Sequence, residues 1–294
     1  SCHMPQVQDP VVIANNIQNL QPRSPFNLHK FMGGNSFMLK LIKQNKQSLG
    51  VDVPDNNFDS TITATLDLLQ HATLDMSLQI DSVANDSLFV SVRLTNKAGH
   101  KFPSGYPSRR AYVQFAVTVG TDTVFQSGML RPDYELTGQD IQYEPHYNVI
   151  TDSNQVQIYE MVMGDVNGNV TTVLGRAASN IKDNRIPPVG FKNTHYAYDT
   201  AQITGTAGDS DFNLNGSAQG TGVDVVHYHI PLRAPGGAMH ISAAVYYQTV
   251  PPRWLGEMFT YNSAFIDSFK TMYQTADKQP VLVASGFADT TVLI

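Results

Sequence analysis

Residues 88–94 read LFVSVRL, and this short stretch decides the fold class. Its apolar residues recur at every second position, which places Leu88, Val90, Val92 and Leu94 on one face of an extended chain. The residues between them form the opposite face, which is largely polar. A strict period of two is typical of a β-strand with one face in the core. We therefore predict a half-buried β-strand at this point.

The same alternation marks the other strands that we predict. They lie at 111–119, 225–232, 239–250 and 281–294. Gly, Asn, Asp and Pro separate these short strands, which is typical of antiparallel sheets joined by turns. We therefore predict a mainly β fold, with an antiparallel β-sandwich-like domain over 74–294. The final strand is expected to close the sheet, and the segments 121–155 and 164–222 are expected to form elaborated loops.

Two other regions follow the helical period. Apolar residues at helical spacing predict one helix over 36–47 and a second that begins near Asp59 or Ser60 and ends at Gln70. A late helix is predicted over 261–276 on the same basis. The chain is thus expected to have a short helical N-terminal segment, residues 1–73, before the β-rich domain.

Composition excludes several classes of protein. The chain has 294 residues of which 41% are hydrophobic, so it can bury a core and is not wholly disordered. A net charge of −6 without a basic block argues against a nucleic acid partner. No apolar run approaches the roughly 20 residues of a membrane-spanning helix. The sequence also lacks the G-x-S-x-G, H-E-x-x-H and Walker patterns of common hydrolases and nucleotide-binding enzymes.

The single cysteine lies beside a histidine at the start of the chain, in Ser1-Cys2-His3. One cysteine permits no internal disulfide and no cysteine-rich metal site. A c-type haem is attached through C-x-x-C-H, in which the histidine binds the iron. Only the second half of that motif is present, and the first cysteine would lie two positions before Ser1. We therefore expect a piece of a longer polypeptide, with a remnant of an expression tag as the alternative.

Three further histidines lie in segments rich in turn formers or aromatic residues. His29 precedes the turn at Gly33 and Gly34, His100 opens a loop with two prolines and two glycines, and His146 lies between aromatic residues and a proline. His29 and His146 could each bind a haem iron. The alternatives are an exposed loop residue for His29 and a packed loop residue for His146.

Two arginines end the loop that His100 opens. Arg109 and Arg110 directly precede a predicted strand, so their side chains should point to opposite faces. A guanidinium group suits bidentate contact with a carboxylate, such as a haem propionate. The alternative is a structural loop held by a buried arginine–aspartate pair.

Two oxygen-rich stretches could hold a calcium ion. Asp165 and Asn167 alternate in the first, and Asp209 and Asp211 alternate in the second. Neither stretch supplies the bidentate glutamate that completes an EF-hand, and turn chemistry explains Asp and Asn equally well.

A transition-metal site is a further alternative. His227 and His229 share a face of a predicted strand, and His240 lies on the next strand. Three converging imidazoles would suit zinc or copper. The competing interpretation is that the first two face solvent or a neighbouring domain.

Five segments together resemble the C-terminal portion of bacterial multihaem c-type cytochromes. The run 96–110 is long and specific, and the other segments are individually modest. They are residues 2–5, 29–35, 155–160 and 182–188. The resemblance thus covers most of the chain, although the chain contains no complete C-x-x-C-H motif.

The resemblance implies specific roles for the residues named above. Cys2 would carry a thioether to a c-type haem, and His3 would be the proximal iron ligand. His29 and His100 would be the leading candidates for distal ligands, followed by His146. Residues 1–73 would end a haem-bearing region, and a β-rich domain would follow.

The preferred interpretation is therefore a periplasmic or extracellular electron carrier rather than a catalyst. Its partners would be an upstream haem-bearing region of the same polypeptide and other redox proteins, and self-association is possible through exposed edges or apolar patches. The alternative is a non-catalytic extracellular β-sandwich module for interaction or filament formation, stabilised by calcium.

Overall fold

The protein was analysed as a computed structural model that describes residues 3–84, 86–138, 143–232 and 237–292. Strand residues make up 35% of the chain and helical residues 19%, which confirms the predicted mainly β fold with antiparallel sheets. No helix within these ranges is long and apolar enough to cross a membrane. Cys2 lies outside the described residues, so its predicted thioether stays a prediction.

The described ranges contain four α-helices and sixteen strands. The helices are α1 (Ser36–Gln44), α2 (Asp55–His71), α3 (Pro252–Gly256) and α4 (Ala264–Thr275). The strands are β1 (Gln6–Val7), β2 (Phe26–Asn27), β3 (Leu74–Ala84), β4 (Ser87–Asn96), β5 (Arg110–Val119), β6 (Asp122–Ser127), β7 (Val149–Ile150), β8 (Ile158–Tyr159), β9 (Met161–Gly164), β10 (Val170–Thr171), β11 (Ser179–Asp183), β12 (Leu214–Asn215), β13 (Ala218–Gln219), β14 (Val223–Pro231), β15 (Gly237–Gln248) and β16 (Val281–Val292).

Two large sheets share one hydrophobic core. One has the strand order β3-β4-β14-β7 and the other the order β16-β15-β5-β6. The four alternating apolar residues of 88–94 are fully buried, as the period of two predicts. Phe115 of one sheet stacks on Tyr228 of the other, with ring centroids 3.8 Å apart. This contact joins the inner faces of the two sheets, and the shared burial holds them together.

The predicted long loops contain short strands that the sequence pattern did not indicate. Strands β9, β10 and β11 form a three-stranded antiparallel sheet within 161–183. The last long strand, β16, pairs with β15 on one side and lies at the edge of its sheet. It extends the sheet there instead of closing it.

The helices begin where local capping chemistry allows. Asn35 accepts a hydrogen bond from the Met38 backbone N–H (2.9 Å) and caps α1, and Ser263 caps α4 in the same way. Helix α2 starts at Asp55, several residues before the predicted start. Pro54 precedes it, and the negative charge of Asp55 suits the first turn of a helix.

A short ladder ties the N-terminal segment to the residues before α1. Strand β1 pairs with β2, and the Met32 N–H donates to the His3 carbonyl oxygen (3.2 Å). This pairing fixes where His3 lies on the surface of the molecule. The division into a helical segment over 1–73 and a β-rich domain over 74–294 stays a prediction.

Candidate functional site

The structure brings together two of the predicted haem ligands, His3 and His100. Their ring centroids lie 5.9 Å apart and their planes are inclined by 16°. Imidazole nitrogens bind a metal ion at about 2 Å, so two imidazoles on opposite sides of one ion have ring centres about 6 Å apart. The spacing is of that size, but the two rings are near-parallel and stacked. The lone pair of an imidazole nitrogen lies in the ring plane, so the side chains would have to turn before both Nε2 atoms could bind one ion.

The hydrogen bonds of the two rings fix which nitrogen carries the hydrogen. His3 Nδ1 lies 2.5 Å from the Met32 carbonyl oxygen, and His100 Nδ1 lies 3.0 Å from the Lys101 carbonyl oxygen. A carbonyl oxygen can only accept, so each imidazole donates from Nδ1. Nε2 of each ring therefore keeps its lone pair. This is the arrangement found in metal-binding histidines, whose second nitrogen donates to a backbone carbonyl.

An apolar cavity lies beside the two imidazoles. Leu68 and Leu69 of α2 and the buried aromatic side chains Phe102 and Tyr247 line it. Burial raises the pKa of Tyr247 to about 12, so this wall stays uncharged at neutral pH. Gly34 also lines the cavity, and a Cβ there would lie 3.2 Å from the Tyr247 hydroxyl. The glycine in the 29–35 motif therefore lets the chain pass close to the aromatic wall.

Asn96 fixes the backbone that carries His100. Its Nδ2 donates to the His100 carbonyl oxygen (2.7 Å) and to the Ile186 carbonyl oxygen (2.9 Å), and its Oδ1 accepts from the Ala98 N–H (2.8 Å). Asn96 is itself 1% exposed. One buried amide thus joins the 96–110 loop to the 182–188 segment.

A buried ion pair reinforces the same junction. Lys101 Nζ lies 2.8 Å from Asp183 Oδ2 and donates to the Gln202 carbonyl oxygen, and Arg185 pairs with the same aspartate. Burial lowers the pKa of Lys101, while the charge of Asp183 opposes this shift. Removing Asp183 would leave the buried Lys101 without its counter-charge, whereas removing Lys101 would leave Asp183 paired with Arg185.

The remaining haem-ligand and propionate candidates lie elsewhere. His29 is exposed, and its ring contacts are with Phe26 and Phe31. Arg110 is fully buried, donates from Nε to Gln248 Oε1 and places Nη2 2.5 Å from Glu135 Oε1. This placement favours the structural alternative for Arg110, with a glutamate as its partner. Contacts of these residues with a haem stay predictions.

His146 lies in a buried cluster with two carboxyl groups. Its Nε2 is 2.8 Å from Asp209 Oδ2 and 3.9 Å from Asp224 Oδ2. Within the described residues this is the one group of three metal-binding side chains whose ligand atoms lie within 4.8 Å of one another. Asp224 was not among the sequence candidates. It lies on the inward face of β14, the same face as the apolar residues Val226 and Tyr228.

The hydrogen bonds of His146 argue against a metal ion in this cluster. Its Nδ1 accepts from Gln157 Nε2 (2.9 Å) and Asn184 Nδ2 (3.0 Å). Both amides are oriented by the backbone, because Gln157 Oε1 accepts from the Tyr147 N–H and Asn184 Oδ1 accepts from the Glu160 N–H. The imidazole hydrogen is therefore on Nε2 and points at Asp209. A metal-bound Nε2 would need that hydrogen on Nδ1, where two donors already point.

The two carboxyl groups of the cluster have different protonation behaviour. Although burial opposes it, the hydrogen bond from His146 lowers the pKa of Asp209. Burial raises the pKa of Asp224 from 3.8 to about 6, and the nearby charge of Asp209 adds to this shift. Asp224 Oδ2 accepts from the Tyr159 hydroxyl (2.5 Å), while the buried Oδ1 has no partner among the described residues. The cluster therefore holds a proton on Asp224 in mildly acidic solution.

The two oxygen-rich stretches form turns. Asp165 Oδ1 accepts from the Asn167 and Asn169 N–H groups (2.8 and 2.9 Å), and Asp209 Oδ1 accepts from the Asp211 and Phe212 N–H groups. This is the turn chemistry given as the alternative. Nothing in the described part of the chain supports calcium at these places.

The three histidines of the alternative metal site do not converge. His227 pairs with Asp211 (2.9 Å), His229 packs on Phe89, and His240 pairs with Asp289 in the other large sheet. A mononuclear site on these residues therefore has no geometric support among the described residues.

Comparisons with known proteins give one distant likeness to report. No family model matches the sequence, and no curated protein matches it. Among solved structures, the penta-heme cytochrome c552 from Thermochromatium tepidum is similar, with 15% sequence identity and a TM-score of 0.47. The match covers 99% of this chain and 46% of that chain, so this chain spans about half the length of the cytochrome.

Proposed function

We propose that this chain contributes His3 and His100 as the two axial ligands of a c-type haem, and that the protein transfers electrons. The observation that carries the proposal is the proximity of the two imidazoles. Both donate from Nδ1 to a backbone carbonyl, both keep a free Nε2, and their centres lie 5.9 Å apart. Cys2, next to His3 in sequence, would supply one thioether.

The protein's own residues would hold and tune the group. The carbonyl oxygens of Met32 and Lys101 keep the imidazoles in one tautomer, and such hydrogen bonds raise the basicity of a ligating nitrogen. The apolar wall at Leu69, Phe102 and Tyr247 would cover only an edge of the macrocycle, because the cavity there measures about 40 Å³. A haem supplies reversible one-electron chemistry when bound.

Two axial histidines favour electron transfer over catalysis. Iron with both axial positions filled by side chains has no open position for a substrate. We therefore propose an electron carrier in the periplasm or outside the cell, working with an upstream haem-bearing region and with redox partners. The alternative distal ligand His29 is exposed, and His146 directs its Nε2 at a carboxylate.

Absorption spectroscopy of single variants tests the ligand assignment. In protein produced by cells that attach c-type haem, we expect a Soret band and the spectrum of low-spin iron. His100→Ala should convert one haem to a high-spin or water-bound spectrum, because one axial ligand is lost. His29→Ala is the matched control and should leave the spectrum unchanged.

Two results would contradict the proposal. A spectral change in His29→Ala but not in His100→Ala would overturn the ligand assignment. A colourless protein without Soret absorbance would overturn the haem proposal and favour the extracellular interaction module.

A further inference from the structure

A second apolar site lies away from the cavity beside His3 and His100. It is an open groove of about 500 Å³ between α1, α3, α4 and the loop 104–109. Its walls are aromatic and methionine side chains, which adapt to ligands of different shape. They are Met38, Tyr106, Trp254, Met258, Phe265 and Phe269. Phe265 is 89% exposed at the rim, so a large apolar surface faces solvent here.

Arg109 is the one charged side chain in the lining of this groove. Its Nη1 donates to the Ser104 carbonyl oxygen (2.8 Å), and within the described ranges it has no carboxylate partner. Gly105 leaves room for the guanidinium group, because a Cβ at Gly105 would lie 2.8 Å from Arg109 Nη1. The loop is therefore built around this arginine.

Arg109 differs from the other described arginines without a carboxylate partner in how exposed it is. Arg23 and Arg93 also lack a carboxylate partner in the described part of the chain, but both are exposed to water. Arg109 is partly buried beside apolar side chains. Partial burial of a cation without a counter-charge is unfavourable, and an anion in the groove would offset that cost.

From this arrangement we infer that the groove binds an amphipathic carboxylate, with its apolar body against the aromatic wall and its carboxylate on Arg109. A planar guanidinium can bind a carboxylate through two parallel charge-assisted hydrogen bonds, whereas a quaternary ammonium head group has no acceptor to offer. The apolar wall supplies the affinity for the body of the ligand. Arg109 lines this groove and not the cavity beside His3 and His100.

The only tryptophan of the sequence, Trp254, lines the groove and reports its occupancy. Dodecanoate should change the Trp254 emission in a saturable way below its micelle concentration. Dodecyltrimethylammonium, with the same chain and the opposite charge, should bind much more weakly. Arg109→Gln should weaken dodecanoate binding by roughly tenfold, or about 1.4 kcal/mol.

Three further variants separate the roles of charge, hydrogen-bond geometry and apolar contact. Arg93→Gln removes an exposed arginine on β4 and should leave dodecanoate binding unchanged. Arg109→Lys keeps the positive charge but loses the two parallel N–H donors of the guanidinium group. The affinity of this variant for dodecanoate should therefore lie between those of wild type and Arg109→Gln. Phe265→Ser changes an exposed side chain that the fold does not need, and it should weaken binding by loss of apolar contact. Far-UV circular dichroism confirms that each variant is folded.

The inference is overturned by any of three results. They are no saturable change in the wild-type protein, equal binding by Arg109→Gln, and equal binding of the cation. The last two would mean that the apolar wall alone adsorbs long chains.

Discussion

Asp224→Asn should remove a pH dependence of stability from the protein. Asp224 is fully buried on β14, and its Oδ1 has no hydrogen-bond partner among the described residues. Burial raises the pKa of this carboxyl group from 3.8 to about 6. The asparagine is nearly isosteric, keeps an oxygen for the Tyr159 hydroxyl and cannot ionise. The substitution therefore removes the titration while it changes the packing little.

The sign and size follow from proton linkage. Between pH 3.8 and about 6 the folded protein holds a proton that the unfolded chain has released, so the free energy of unfolding falls as pH rises. The difference of about 2.2 pKa units corresponds to roughly 3 kcal/mol at 1.36 kcal/mol per unit. This contribution is fully present below pH 3.8 and is lost above about pH 6. Roughly 2 kcal/mol of this stabilisation should be lost between pH 4 and pH 7.

Urea unfolding at several pH values measures this effect, with Trp254 emission as the signal. The unfolding free energy of wild type, relative to Asp224→Asn, should decrease by roughly 2 kcal/mol from pH 4 to pH 7. Asp122→Asn is the control, because Asp122 is exposed on β6, and its pH dependence should equal that of wild type. If Asp224→Asn follows the same pH curve as wild type, Asp224 is not the titrating group and our account of the cluster is wrong. A chelator should change neither curve, since the cluster holds a proton and not a metal ion.

Two further substitutions test the buried charges and the helix caps. Lys182 is buried and donates to the Glu144 and Ile158 carbonyl oxygens and to Glu160 Oε1 (3.3 Å), so Lys182→Met should cost about 3–5 kcal/mol in denaturant unfolding. Glu160 also pairs with Arg253 (3.5 Å), so adding Glu160→Gln to Lys182→Met should restore only a small part of that loss. A complete recovery would show that the lost carbonyl contacts of Lys182 contribute nothing. Asn35→Ala should lower the unfolding free energy by about 1 kcal/mol, because it removes the cap of α1, whereas Asn35→Ser should be nearly neutral.

Much of the fold could be predicted because it depends on local periodicity. The alternation in 88–94 lies within strand β4, and the helical spacing in 261–276 indicates α4, with Ser263 as its cap. The short strands β9 to β11 could not be predicted, since two to five residues are too few to show a period. Their pairing depends on tertiary contacts that no local pattern records.

The sequence indicates the residues of the candidate site, but it does not show which of them lie together. Both His3 and His100 lie in motifs that the sequence brings to notice, yet nothing local shows that one faces the other. That requires the β1–β2 ladder and the junction at Asn96. His146 was expected as an iron ligand, and only its partners reveal the buried cluster. The one signal for Asp224 was a charge at an inward position of an otherwise apolar strand.

The junction at Asn96 bears on the electron transfer that we propose. Its amide contacts the His100 carbonyl, the Ile186 carbonyl and the Ala98 N–H at once, so the His100 backbone is held by a side chain that is itself only 1% exposed. An electron moves quickly when few atoms must change position as the charge changes. An iron held by His100 would therefore gain and lose charge inside a nearly rigid frame, with a small reorganisation energy.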